Sequence, residues 1–413
     1  MSPGKLLTTS ITDELRLSNN KKSKVIGIAL KDRGAILPVG HTANAAYWYD
    51  ESTGNWMTSS YYMSKLPAWV SDFNKKEMVK KYLSQPWTAL LPLERYTESL
   101  ADDNPYEGLF AWESKPVFPH DLPSLKEKNG SSGLIKTTPF GNSFTKDFAI
   151  QAIKSELMGK RNETDFIAIS FSSTDYIGHQ FGPRSVETED TYLRLDKDIA
   201  ELLRFLDAWV RQENLLLFLT SDHAVSDCPA YLIDEKIPAG YFESKAPIDS
   251  LKRYLKDKYT DTLVLSYSNQ QIFLNRNFIE QDDEMNLQQI QSDVASFILR
   301  FRGIATTTTG TVLHNSNFNI GADHLIQNGY NQKRSGDVII NFEPGWMEHE
   351  KTGTTHGSPY DYDTHVPLIW YGWKIPVGSS NEYTDITDIA PTISMLLNIP
   401  VPVESKGKCI SFK

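Results

Sequence analysis

Only two cysteines occur in 413 residues. Cys228 and Cys409 lie far apart and in no metal-ligating spacing, so a disulfide scaffold and a thiolate metal cluster are excluded. A single bridge between them stays open and says little about compartment. No run of about 18 or more apolar residues is present, so no segment reads as a membrane-spanning helix. Lysine and arginine form no block that would track a phosphate backbone, and the formal net charge is -10. Nucleic acid is therefore not the expected main partner, although a local positive site for a small phosphorylated ligand is compatible with that charge. The first residues, MSPGKLLTTSITDELRL, hold no apolar core of signal-peptide length. Internal repeats and low-complexity tracts are also missing, and with them a solenoid architecture.

What is there is a chain 40% hydrophobic and 23% charged, long enough to bury a large core as one α/β domain carrying an insertion. Its most informative stretch is 166–224. Two short apolar runs of strand character, FIAISF and LLLFLT, each end in a carboxylate and an imidazole: Asp175 and His179 after the first, Asp222 and His223 after the second. Ionised Asp and neutral His are the usual oxygen and nitrogen ligands of zinc. The carboxyl ends of parallel strands are where open α/β sheets bind ligands. Asp175 and His179, spaced i, i+4 on a turn entering a helix, can face one ion. The adjacent Asp222 and His223 point in different directions and can serve two ions, or one ion from two angles. Taken singly, each of these side chains is more often a turn cap or a satisfied imidazole; two Asp/His pairs on consecutive strand ends reverse that balance. Between them Leu195, Ile199, Leu202, Leu206 and Trp209 make one apolar helical stripe, so the stretch reads as a βαβ unit whose strand ends share an edge.

Earlier in the chain, Ser10 and Asp13 stand in capping-box spacing before a short helix, and VIGIAL (25–30) reads as a buried strand. Lys31 and Arg33 follow at its end, where two cations can clamp an anionic oxygen or simply face solvent. Trp48 and Trp56 flank a turn and suggest a hairpin over the mouth of a site. Residues 64–146 are irregular, with His120 among prolines as a loop residue, and His41 reads as structural. Residues of about 226–336 read as a small mixed subdomain capping the site, with strands LVLSYS and QIFLNR, a helix near LQQIQSDVASFILRF and a threonine-rich turn at 306–311. His314 and His324 within it lack a strand-end setting. The main sheet is expected to resume at DVIINFEPGW. His356, in a glycine-bracketed loop before the strand 366–371, can complete a three-ligand site with Asp175 and His179; His365, Asp361 and Asp363 are its rivals. Pro391 lies near the first turn of a closing helix.

STDYIGH, TSDH and THG in that order, with Lys31-Asp32-Arg33 before them, resemble the alkaline phosphatase superfamily. The resemblance spans essentially the whole chain and is to the threonine-nucleophile, phosphate-insensitive bacterial alkaline phosphatases of the PafA type, near the type I phosphodiesterase/nucleotide pyrophosphatase group. It implies a mostly parallel sheet sandwiched by helices, one alkaline phosphatase-like domain over residues 1–413, and a periplasmic or secreted location. It further implies two zinc ions, one on Asp175, His179 and His356 and one on Asp222 and His223, although Asp/His chemistry alone would admit manganese or cobalt. Lys31 and Arg33 are implied to contact the non-bridging oxygens of a phosphate monoester, and small phosphorylated compounds are the implied substrates of a protein slightly favoured as a monomer. The family pattern also holds a nucleophilic Thr and a further Asp ligand on a first strand, before the Lys-x-Arg segment. Neither is matched here, and the expectation is a fragment; Thr8, Thr9 and Ser10 are the nearest hydroxyls and fit no nucleophile motif. A phosphodiesterase or nucleotide pyrophosphatase, and an inactive metal- or phosphate-binding remnant, are the alternatives. Sulfatase chemistry is disfavoured because no formylglycine motif is present.

Overall fold

Val25–Ala29, the first apolar run of the chain, forms strand β1, and all five residues are buried. In the computed structural model, which describes residues 1–259 and 263–412, β1 lies between two parallel neighbours. These are β2 (Ala45–Asp50), in register from Ile26 opposite Ala45, and β4 (Phe166–Ser170), in register from Val25 opposite Phe166. The short strand β3 (Asn55–Met57) pairs antiparallel with β2, completing the order β3-β2-β1-β4. Gly27 is required in β1 because a Cβ there would meet the Ala35 carbonyl oxygen at 1.9 Å. Parallel strands buried on both faces read as continuous apolar runs, which is why β1 was legible.

The expected hairpin exists, but its tryptophans do not overhang a site. Trp56 is fully buried and stacks on Phe148 at 4.3 Å, and Trp48 is buried in a neighbouring cluster. Large indoles on a strand gain more from burial than from covering a cleft. The capping box forms: Ser10 Oγ accepts from the Asp13 amide, and Asp13 accepts from the Ser10 amide at 3.0 Å. The long helix Val186–Val210 begins where Ser185 Oγ accepts from the Thr188 amide at 3.0 Å, and its Leu202 and Leu206 enter the main core beside Ile26, Ile28, Phe148 and Phe181.

β5 (Leu216–Thr220) is not hydrogen-bonded to β4. Among the described residues it pairs only with β12 (Leu368–Gly372), antiparallel, so that Leu368 faces Thr220. The apolar strands β4 and β5 are each half-buried along their whole length, in contrast to β1. Each leaves one edge without a strand partner among the described residues, an arrangement that proteins usually cover. Two short strands, β6 (Gly240–Tyr241) and β11 (Trp346–Met347), pair with each other.

A second, antiparallel sheet has the order β7-β8-β10-β9, from β7 (Val264–Ser268), β8 (Gln271–Leu274), β9 (Ile304–Thr309) and β10 (Val338–Phe342). It carries its own core, running from Phe242 to Phe342. Two expectations are corrected here. The threonine-rich segment is strand β9 rather than a turn, as β-branched side chains favour. DVIINF does not return to the main sheet; β10 is the central partner of β8 and β9. His120 is likewise no surface-loop residue, being completely buried between two glutamates.

Candidate metal centre

The carboxyl ends of β1, β4 and β5 meet around one carboxylate. Asp175 lies in the first turn of the helix Ser173–Phe181 that follows β4. Its Oδ1 is 3.3 Å from His179 Nε2, 3.6 Å from His223 Nε2 and 3.7 Å from His356 Nε2. Its Oδ2 accepts from the Lys31 ammonium, delivered from the end of β1. Burial alone would raise the Asp175 pKa, but hydrogen bonds from His179 and Lys31 outweigh it and hold the carboxyl well below the usual range.

The histidines are oriented from behind. The Thr354 carbonyl accepts from His179 Nδ1 at 2.8 Å, and the Ala224 carbonyl accepts from His223 Nδ1 at 2.9 Å. A carbonyl can only accept, so each Nδ1 carries the proton and each Nε2 lone pair is directed at Asp175. This back-side contact is the one that fixes the tautomer of metal-ligating histidines. A lone pair facing a carboxylate needs a proton or a metal cation between them. For His179 the hydrogen bond to Asp175 raises the imidazole pKa against the effect of burial. His356 moves the other way, lowered first by burial and then by His223, whose ring stacks on it with centroids 3.4 Å apart. Half-buried imidazoles beside a carboxylate are the donor set a divalent zinc ion takes, and ligand atoms of Asp175, His223 and His356 all lie within 4.8 Å of one another. These residues fit a metal.

His223 joins Asp175 and His356 in one cluster, with His179 on the same Asp175 oxygen. Asp222 is turned outward, its side chain 89% exposed and 3.8 Å from His223 Nε2. Among the rivals of His356, Asp361 and His365 are exposed, and Asp363 is buried with its carboxylate turned to backbone amides. Arg33 is exposed in the short helix Asp32–Ile36 and makes no side-chain hydrogen bond among the described residues, which leaves its fork open beside Lys31. Thr8, Thr9 and Ser10 belong to the other end of the sheet: the Asp13 carboxylate capped by Ser10 binds the amides of His41 and Thr42, just ahead of β2.

Sequence reasoning missed Tyr176, whose ring lies 4.6 Å from Lys31 Nζ and 5.2 Å from Lys136 Nζ. It also missed His349, its ring 6.5 Å from His179, and Thr354. The glycine of GTTHG was the available signal for Thr354. Gly353 has φ +70 and a Cβ there would meet the His179 carbonyl oxygen at 2.1 Å, so only glycine lets this loop close on the helix end.

The sequence model of the type I phosphodiesterase / nucleotide pyrophosphatase family matches residues 8–366. Three curated relatives each match nearly the whole chain and about three quarters of their own length. A Myroides odoratus protein described as a calcium-transporting ATPase is 46% identical over 97% of the chain and 74% of itself. Alkaline phosphatase PhoV of Synechococcus elongatus is 41% identical over 100% and 74%. Alkaline phosphatase PafA of Elizabethkingia meningoseptica is 39% identical over 99% and 75%. A crystal structure of wild-type PafA superposes with a TM-score of 0.94 at 39% identity, covering 99% of this chain and 78% of the other. The chain has the α/β fold of these enzymes and belongs to the alkaline phosphatases of the type I phosphodiesterase / nucleotide pyrophosphatase family.

Proposed function

We propose that the protein hydrolyses phosphate monoesters at a zinc centre held by Asp175, His179, His223 and His356, with Asp222 at its open side. The convergence of three imidazoles and Lys31 on the one Asp175 carboxylate carries this reading. Zinc bound there would supply Lewis acidity toward the phosphoryl oxygens and the leaving oxygen. The remaining work falls to residues of this chain. Lys31, presented at the end of β1, is placed to give a point charge to a non-bridging oxygen, and Arg33 to give a forked contact to another. A monoester carries two such negative oxygens and a diester one, so these cations favour the monoester as charge redistributes in transfer. Thr354 and Ala224 hold the imidazoles so that no reorientation is needed when substrate arrives.

The hydroxyls at Thr8, Thr9 and Ser10, near the other end of the sheet, are not taken as the nucleophile. The reading assigns the nucleophile to no residue of this chain. It treats the second sheet as a cap and the location as periplasmic or secreted; no helix among the described residues is long and apolar enough to cross a membrane.

The reading is tested by turnover of p-nitrophenyl phosphate and of its bis ester. Replacing Lys31 and Arg33 by alanine is expected to lower monoester turnover by about a hundredfold while changing diester turnover far less. Equal losses on both esters would support a phosphodiesterase instead, and no turnover by any zinc-loaded form would support a binding remnant.

A further inference from the structure

We infer that Asp363 is a positioning residue that holds the two stacked imidazoles, His223 and His356, in one metal-binding arrangement; the inference rests on the metal reading above. Asp363 is buried, and its Oδ2 accepts from the amides of Gly357 at 3.0 Å and Ser358 at 2.7 Å. Those are the two residues directly after His356. Its own carbonyl accepts from the amide of Ala224 at 2.8 Å, the residue directly after His223. The Ala224 carbonyl in turn takes the proton of His223 Nδ1. One residue therefore ties the loop bearing one ligand to the strand exit bearing the other, through the side chain on one side and the main chain on the other.

The geometry gives the tie a purpose. His223 and His356 lie nearly parallel, 12° apart, with centroids separated by 3.4 Å. Two rings presenting Nε2 to the same carboxylate oxygen need their backbones fixed, because each would otherwise rotate away when no cation holds it. The turn after His356 has little stiffness of its own: Gly357 has φ +121 and open space around it. The second Asp363 oxygen, Oδ1, is buried without a hydrogen-bond partner, so the carboxylate is held there at a desolvation cost. Partners of this kind behind metal ligands typically change metal affinity by about 10–100-fold when removed.

The test is zinc affinity of the whole chain, measured by competition with a chromophoric chelator. Asp363→Ala is expected to weaken zinc binding by about 10–100-fold. Asp363→Asn is expected to stay within about threefold of the parent, because an amide oxygen can accept the same two N–H groups. Gly357→Ala, which leaves Asp363 in place but strains the turn, is expected to weaken zinc in the same direction and keeps the test open should Asp363→Ala not fold. Unchanged affinity in both Asp363→Ala and Gly357→Ala would overturn the inference, as would Asp363→Asn losing as much as Asp363→Ala, since the acceptor would then not be what matters. His356→Ala is the control. If it loses zinc while the Asp363 and Gly357 variants do not, only the positioning role fails; if it binds zinc as the parent does, the metal reading itself fails.

Discussion

Asp175→Asn is expected to abolish stoichiometric zinc uptake and to lower p-nitrophenyl phosphate turnover by about a thousandfold or more. The reason is the number of groups that share this one carboxylate. His179, His223 and His356 all present Nε2 within 3.7 Å of Oδ1, and Lys31 binds Oδ2. An amide keeps the shape but removes the charge, so the cation loses its half-buried anionic ligand and Lys31 loses its counter-ion. Freed from Asp175, the ammonium has the Tyr176 ring within reach and is no longer held toward the substrate. The same experiment on Asp222→Asn separates two arrangements. If Asp222 and His223 form an independent second site, both variants should lose comparable zinc. If the cluster is built on Asp175 with Asp222 largely in solvent, Asp222→Asn should retain most zinc while Asp175→Asn does not. Metal content per chain, by elemental analysis after gel filtration, distinguishes these outcomes without relying on turnover.

The residue types of that centre were legible because an Asp or His directly after an apolar strand has few structural reasons to be there. Their approach in space was not. His223 Nε2 lies 3.6 Å from Asp175 and 3.8 Å from Asp222, and the turn after β5 that puts it there is tied by Ala224 bonding to Asp363, a contact between residues far apart in sequence. The same limit explains β10. Its run of β-branched residues marks a strand, but nothing local says which sheet it joins, and pairing with the threonines of β9 was hidden by composition that resembles a turn. Helices with a clear stripe, such as Val186–Val210, and the capped start at Ser10 were predictable because their signals lie within a few residues of one another. His120 shows the opposite case. Prolines around it suggest a loop, and the loop exists, yet it folds inward because Glu113 and Glu187 bind both ring nitrogens, at 2.9 and 3.0 Å.

That buried histidine is expected to make stability fall as pH rises. Burial alone would lower its pKa, but hydrogen bonds to Glu113 and Glu187 override this and lift it to about 9. An imidazole raised above its unfolded value contributes stability that is fully present below about pH 6.5 and is lost as pH rises through about 9. Glu107 slopes the same way. Burial, reinforced by the charge of Glu187, pushes it to about 10, so the folded state keeps a proton that the unfolded chain releases above its ordinary carboxyl range. Glu107, Glu113 and Glu187 each leave one buried oxygen without a partner, so the His120 cation is the charge that makes this acidic cluster tolerable. His120→Ala should therefore cost about 3–5 kcal/mol near pH 6, as breaking a buried pair does when one partner is left uncompensated. The loss should shrink near pH 10, where the parent imidazole is itself neutral. Glu107→Gln should do the reverse, flattening the alkaline decline by replacing a proton-dependent carboxyl with a permanently neutral group of the same shape. Urea unfolding midpoints of the three proteins at pH 6 and pH 10 measure this directly. An equal loss for His120→Ala at both pH values would mean that packing, and not charge, is what the glutamates hold in place.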